Sequence, residues 1–140
     1  MRRRSAARPA TPACLARRRR SDTSSRAKCP TAGAVLAAAR GDERLPAPFT
    51  PALVRAFTTK SSIPASSRAL GWDTMLPSSS CGGRMSAAAF GHVGFTGTSL
   101  WIDPRRDRYF VLLTNRAAGS GTLDEMRTVR RAFHDALGDF

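Results

Sequence analysis

The sequence predicts an α+β fold: an antiparallel β-sheet covered by a C-terminal helix, preceded by a disordered basic N-terminal arm. Three observations predict it. The charge is uneven, since residues 1–40 hold 11 basic residues and one acid, whereas residues 41–140 hold 12 basic residues and nine acids. Short β-branched and aromatic runs separated by turn residues fill residues 90–114. A capping box and a helical apolar period then close the chain.

The arm comes first, and its expected extent is residues 1–44. It is built from Arg, Ala, Pro and Ser, and Phe, Tyr, Trp and Ile are all absent before Phe49. Such a composition buries too little apolar surface to offset the entropy of ordering. One short helix over Ala34–Arg40 is the exception. Residues 45–140 form the folded domain. Thr50-Pro51, followed by Leu53, Val54 and Phe57, reads as a helix start, with a hydroxyl cap and a proline at the first helical position. Ala69–Asp73 opens a strand, and the Ser- and Gly-rich stretch Leu76–Ser86 is a loop.

Phe90–Phe95, Thr98–Asp103 and Tyr109–Thr114 read as three strands. Pro104–Arg108 is too short for a parallel crossover, so the last two pair antiparallel. Thr122 and Glu125 are placed to satisfy each other's orphan N–H groups. Met126, Val129, Phe133, Ala136 and Leu137 follow at helical spacing, as the face that covers the sheet.

Composition excludes several classes. No apolar run approaches the roughly 20 residues that a membrane-spanning helix needs. Three widely spaced cysteines, Cys14, Cys29 and Cys81, and two distant histidines, His92 and His134, form neither a zinc pattern nor a disulfide framework. Neither a metal nor a cofactor is expected. Unpaired thiols favour the cytoplasm, with organelle targeting by the basic, acid-poor N-terminus as the other option.

The stretch Phe90-Gly-His-Val-Gly-Phe-Thr-Gly-Thr-Ser-Leu-Trp-Ile-Asp-Pro104 resembles the third-motif region of the serine β-lactamase and penicillin-binding-protein family, in the class C-like esterase and peptidase branch, where His-x-Gly replaces Lys-Thr-Gly. Gly71-Trp-Asp before it and Tyr109–Arg116 after it fit the same family, so the resemblance covers residues 45–140 and leaves out residues 1–40. It implies acyl transfer through a serine acyl-enzyme, on an ester, peptide or β-lactam. Carried over, His92 takes the first position of the motif, Gly94 the third, and the Phe95 N–H forms half of an oxyanion hole. Val93 stands where the family usually has Thr or Ser, and so removes a hydroxyl that could bond a substrate carboxylate.

Ser25-Arg-Ala-Lys28 fits the family's Ser-x-x-Lys literally. It lies 64 residues before His92, much closer than the family has it, in a segment rich in Ser and Arg and with Pro30 placed to disturb a helix; the expectation is a chance match. No Tyr-x-Asn or Ser-x-Asn occurs. The chain therefore reads as a hydrolase segment, truncated and inactive by itself, with residues 1–44 a displaced reading frame, a targeting peptide or a basic arm. The alternative function is nucleic-acid or anionic-surface binding through that arm. No specific nucleic acid is expected, because no aromatic side chain interleaves its arginines.

Overall fold

The computed structural model describes residues 29–138. Four strands form one antiparallel meander, in the order β1 (Asp73–Thr74), β2 (Phe90–Val93), β3 (Ser99–Asp103) and β4 (Arg108–Leu112). A helix lies on each face: α1 (Pro30–Ala39) on one, with α2 (Pro51–Thr58) beside it, and α3 (Leu123–Gly138) on the other.

The register sorts the side chains between the two faces. Phe90, Ile102 and Tyr109 stand opposite one another and pack with Ala32, Val35, Leu36 and Ala38 of α1. Gly91, Trp101 and Phe110 form the next row, on the other face, where Met75, Cys81, Met85 and Ala89 join Phe133 and Leu137 of α3. Gly91 is required there: a Cβ would lie 2.3 Å from the Trp101 indole and 2.5 Å from the Leu100 carbonyl oxygen.

The sheet and its C-terminal helix are as the sequence predicts. Thr50 caps α2 by accepting from the Leu53 N–H, and the Thr122–Glu125 box caps α3. The loop from Leu76 is tied down at Asp103, fully buried, which accepts from the Ser86 N–H at 2.8 Å and the Ser86 hydroxyl at 2.6 Å.

Three expectations change. The segment 30–39 is not part of an unpacked arm, because it forms a ten-residue helix with four buried residues. Pro30 takes the first position of that helix, behind an extended Cys29, where the missing N–H costs no intrahelical bond. The Ala69–Asp73 strand shrinks to Asp73–Thr74, because Ala69 and Trp72 close a tight turn through a backbone bond of 2.8 Å. On α3, Val129 and Ala136 are exposed, and the fully buried stripe is Met126, Arg130 and His134. The remaining expectations for the arm, residues 1–28, lie outside the described residues. Among the described residues no helix is long and apolar enough to cross a membrane.

Candidate functional site

β1 pairs only with Phe90 and Gly91, so from His92 onward the outer edge of β2 has no strand partner among the described residues. His92 lies on this free edge and is exposed. Its Nε2 is 3.5 Å from the Arg68 guanidinium, too long for a strong bond. Arg68 also pairs with Asp73 at 3.2 Å, and Asp73 accepts the Ser67 hydroxyl at the same distance.

Beyond His92 the chain turns tightly. Gly94 and Thr98 pair across the turn through the Gly94 N–H, and the Gly97 N–H returns to the Gly94 carbonyl. Gly97 has φ of 119°, a conformation that favours glycine. At Gly94 a Cβ would lie 2.3 Å from the Thr98 hydroxyl, so the glycine is needed to close the turn as well as to leave room beside the strand.

Every carbonyl of residues 94–98 is held. Arg130 donates to those of Gly94 and Thr98. The Arg116 guanidinium donates to that of Phe95 at 3.1 and 3.2 Å, and its backbone N–H to that of Thr96 at 2.6 Å. The Thr114 hydroxyl holds that of Gly97 at 2.7 Å. Arg116 also stacks 4.5 Å above the Phe95 ring. By contrast, the Phe95 N–H donates to no acceptor among the described residues, and its side chain is 71% exposed. A fixed turn thus presents a free donor three residues from an exposed imidazole, which is the polarity needed to hold an acyl oxygen as negative charge develops on it.

A second histidine has a different role. His134 is fully buried under α3, and its Nε2 lies 3.0 Å from the Ser99 hydroxyl. The pair has the atoms of a nucleophile and base, yet Ser99 is only 4% exposed, so no substrate reaches it. Burial pushes the His134 pKa down to about 4, Arg130 adds to the shift, and Asp135 opposes it. The imidazole is therefore neutral near pH 7 and pins helix to sheet. Cys81 is similarly inert as a nucleophile, its thiol pushed up to about 12 by burial. Among the described residues no group of three His, Cys, Asp or Glu side chains could hold a metal ion.

Comparison with known proteins decides the family. A family model described as Beta-lactamase matches residues 4–134. The chain belongs to the β-lactamase family. No curated protein and no solved structure matches it. The match starts well before residue 45, so the β-lactamase-family resemblance takes in residues expected to lie outside it, Ser25 and Lys28 included. Those two residues lie outside the described part, and among the described residues no hydroxyl hydrogen-bonds to His92.

His92, Gly94 and Phe95 stand together on one strand end and its turn. Sequence reasoning missed the arginines that hold that turn. Arg116 lies in the run after the last strand and carries no separate signal. Arg130 had one, four residues beyond Met126 and four before His134, but an arginine on a helix is exposed far more often than buried.

Proposed function

We propose that this β-lactamase-family chain carries the oxyanion side of a serine acyl-hydrolase site, directed at the carbonyl of an ester, amide or β-lactam. The observation that supports it most is the unpaired Phe95 N–H on a turn whose carbonyls are all held. His92 supplies the polar group beside the reacting carbonyl. Val93 offers no hydroxyl to a substrate carboxylate, which favours simple esters over carboxylate-bearing β-lactams. With no Tyr-x-Asn in the sequence, the proton-transfer set is incomplete, and the chain alone is expected to show no appreciable turnover.

A second reading is favoured by one observation: the family match reaches back across Ser25-x-x-Lys28. On this reading Ser25 is the nucleophile, with the Lys28 amine near it in the sequence.

One experiment separates the readings. Purified protein is assayed against a p-nitrophenyl ester and a chromogenic β-lactam, beside Ser25→Ala and Phe95→Pro, the latter removing the N–H donor. No turnover in any form agrees with the first reading. Ester turnover abolished by Ser25→Ala and reduced about 100-fold or more by Phe95→Pro establishes the second. Turnover unaffected by either substitution refutes both.

A further inference from the structure

A cleft of about 640 Å³ opens between the C-terminal end of α1, helix α2, and the loop that enters β2. This volume lies within the range of small-molecule sites. Neither His92 nor Phe95 lines it, and Phe90 places it at the other end of β2 from the Phe95 turn.

Two features define what could fill it. Its charged lining is entirely basic: Arg40, Arg55, Lys60 and Arg105, with no Asp or Glu among the lining residues. Arg40 is engaged by Asp107 at 3.4 Å and by the Pro104 carbonyl at 3.0 Å. Arg55, Lys60 and Arg105 are exposed, and among the described residues their side chains have no ion-pair or hydrogen-bond partner. Three uncompensated cations on one cleft repel one another, and a bound anion relieves that. The remaining lining is largely apolar, with Ala39, Ala87, Ala88 and Met75 leading to the buried ring of Phe90. A bare inorganic anion would leave that surface wet.

We propose that this cleft binds a small amphipathic anion, a carboxylate head on a hydrocarbon chain, with the head among Arg55, Lys60 and Arg105 and the chain against the alanines and Phe90. Pairing with guanidinium and ammonium groups supplies the charge-assisted bonds, and the alanines leave room for the chain because their side chains are short. The site is independent of the acyl chemistry proposed above.

The test is isothermal titration of the full chain with decanoate below its micellar concentration, beside decanol, which lacks the charge, and acetate, which lacks the chain. The expected result is saturable one-to-one binding of decanoate, about tenfold or more tighter than either control, and weakened by added salt. The double variant Lys60→Gln/Arg105→Gln changes exposed, unpartnered side chains, so its melting temperature should match the parent while decanoate affinity falls by about tenfold or more. Ala88→Phe narrows the cleft and should weaken decanoate with all cations present. Decanol binding as tightly as decanoate would overturn the proposal. So would acetate matching decanoate, undiminished affinity in the double variant, or no binding to the parent protein.

Discussion

The two faces of the sheet are buried by different means. Under α1 the contacts are apolar, with Leu36 and Ile102 at 1% and 0% exposure, and the Tyr109 hydroxyl only accepts the Cys29 N–H at the rim. Under α3, Trp101 and Phe110 share the buried layer with Ser99, Asp103, Arg130 and His134. The apolar face is sealed by area, which is indifferent to pH and charge. The polar face is held by bonds with direction, and those bonds end on the turn that bears Phe95. One helix therefore serves as a cover and the other as a clamp, and breaking each should give a different signature.

The largest effect belongs to the cover. Leu36→Ala removes a fully buried side chain between α1 and the sheet, and should cost about 3–4 kcal/mol, equally at pH 7 and pH 5. Urea unfolding at both values measures it. A cost below about 1 kcal/mol would mean that α1 is not docked on Ile102 and Tyr109.

The clamp should respond to pH where the cover does not. The folded-state pKa of His134 is about 4 against an ordinary 6.5, so the unfolded chain binds more protons between these values. Stability from keeping the imidazole neutral is complete above pH 6.5, declines as pH falls towards 4, and changes no further below that. The whole decline is about 3 kcal/mol. His134→Gln keeps a polar partner for Ser99 without a titrating ring, so the difference between parent and variant across this window isolates the histidine. Parallel pH profiles would show that folding does not shift the His134 pKa.

Arg130 comes next. Arg130→Met keeps the stem and deletes the bonds to the Gly94 and Thr98 carbonyls, and should cost about 2 kcal/mol. The loss should be local as well as global, with hydrogen exchange at Gly94 and Gly97 accelerated before that of the α1 amides. Uniform acceleration across both faces would erase the distinction between clamp and cover.

How much of this was legible in the sequence follows from the same contrast. The strands at Phe90, Ser99 and Arg108 announce themselves through β-branched and aromatic residues, and the caps at Thr50 and Thr122 through their side-chain chemistry. The candidate residues His92, Gly94 and Phe95 are close together in sequence, so their placement on one strand end and its turn follows from the strand itself. The face under α1 was not. Its helix packs with alanines, and a segment without aromatics reads as unable to build a core until the ring surface of Phe90 and Tyr109 is laid beneath it. The stripe on α3 differs for the opposite reason: the apolar pattern points Val129 and Ala136 inward, while the buried positions fall to Arg130 and His134, whose partners are strand and turn atoms about 30 or more residues away.

The exposed Val129 gives the smallest predicted effect. Two stripes compete for the buried face of α3, and both contain Met126. The expected one turns Val129 inward and the observed one Arg130 and His134, with Phe133 at the flank of the buried face, and adjacent positions differ by about 100° of helix rotation. Val129 is 49% exposed, so Val129→Ala removes little burial, and alanine is the better helix former. The two terms are small and opposed, and stability should stay within about 0.5 kcal/mol of the parent. If the apolar stripe faced the sheet, the same substitution would open a cavity beside Trp101 and cost roughly 1–3 kcal/mol, and Arg130→Met would then cost nothing. Measured together, the two variants fix the rotation of α3. Near-neutral Val129→Ala beside a costly Arg130→Met leaves α3 as the clamp on the Phe95 turn; the reverse pattern would turn it into a second apolar cover and leave the Gly94 and Thr98 carbonyls without the arginine that holds them.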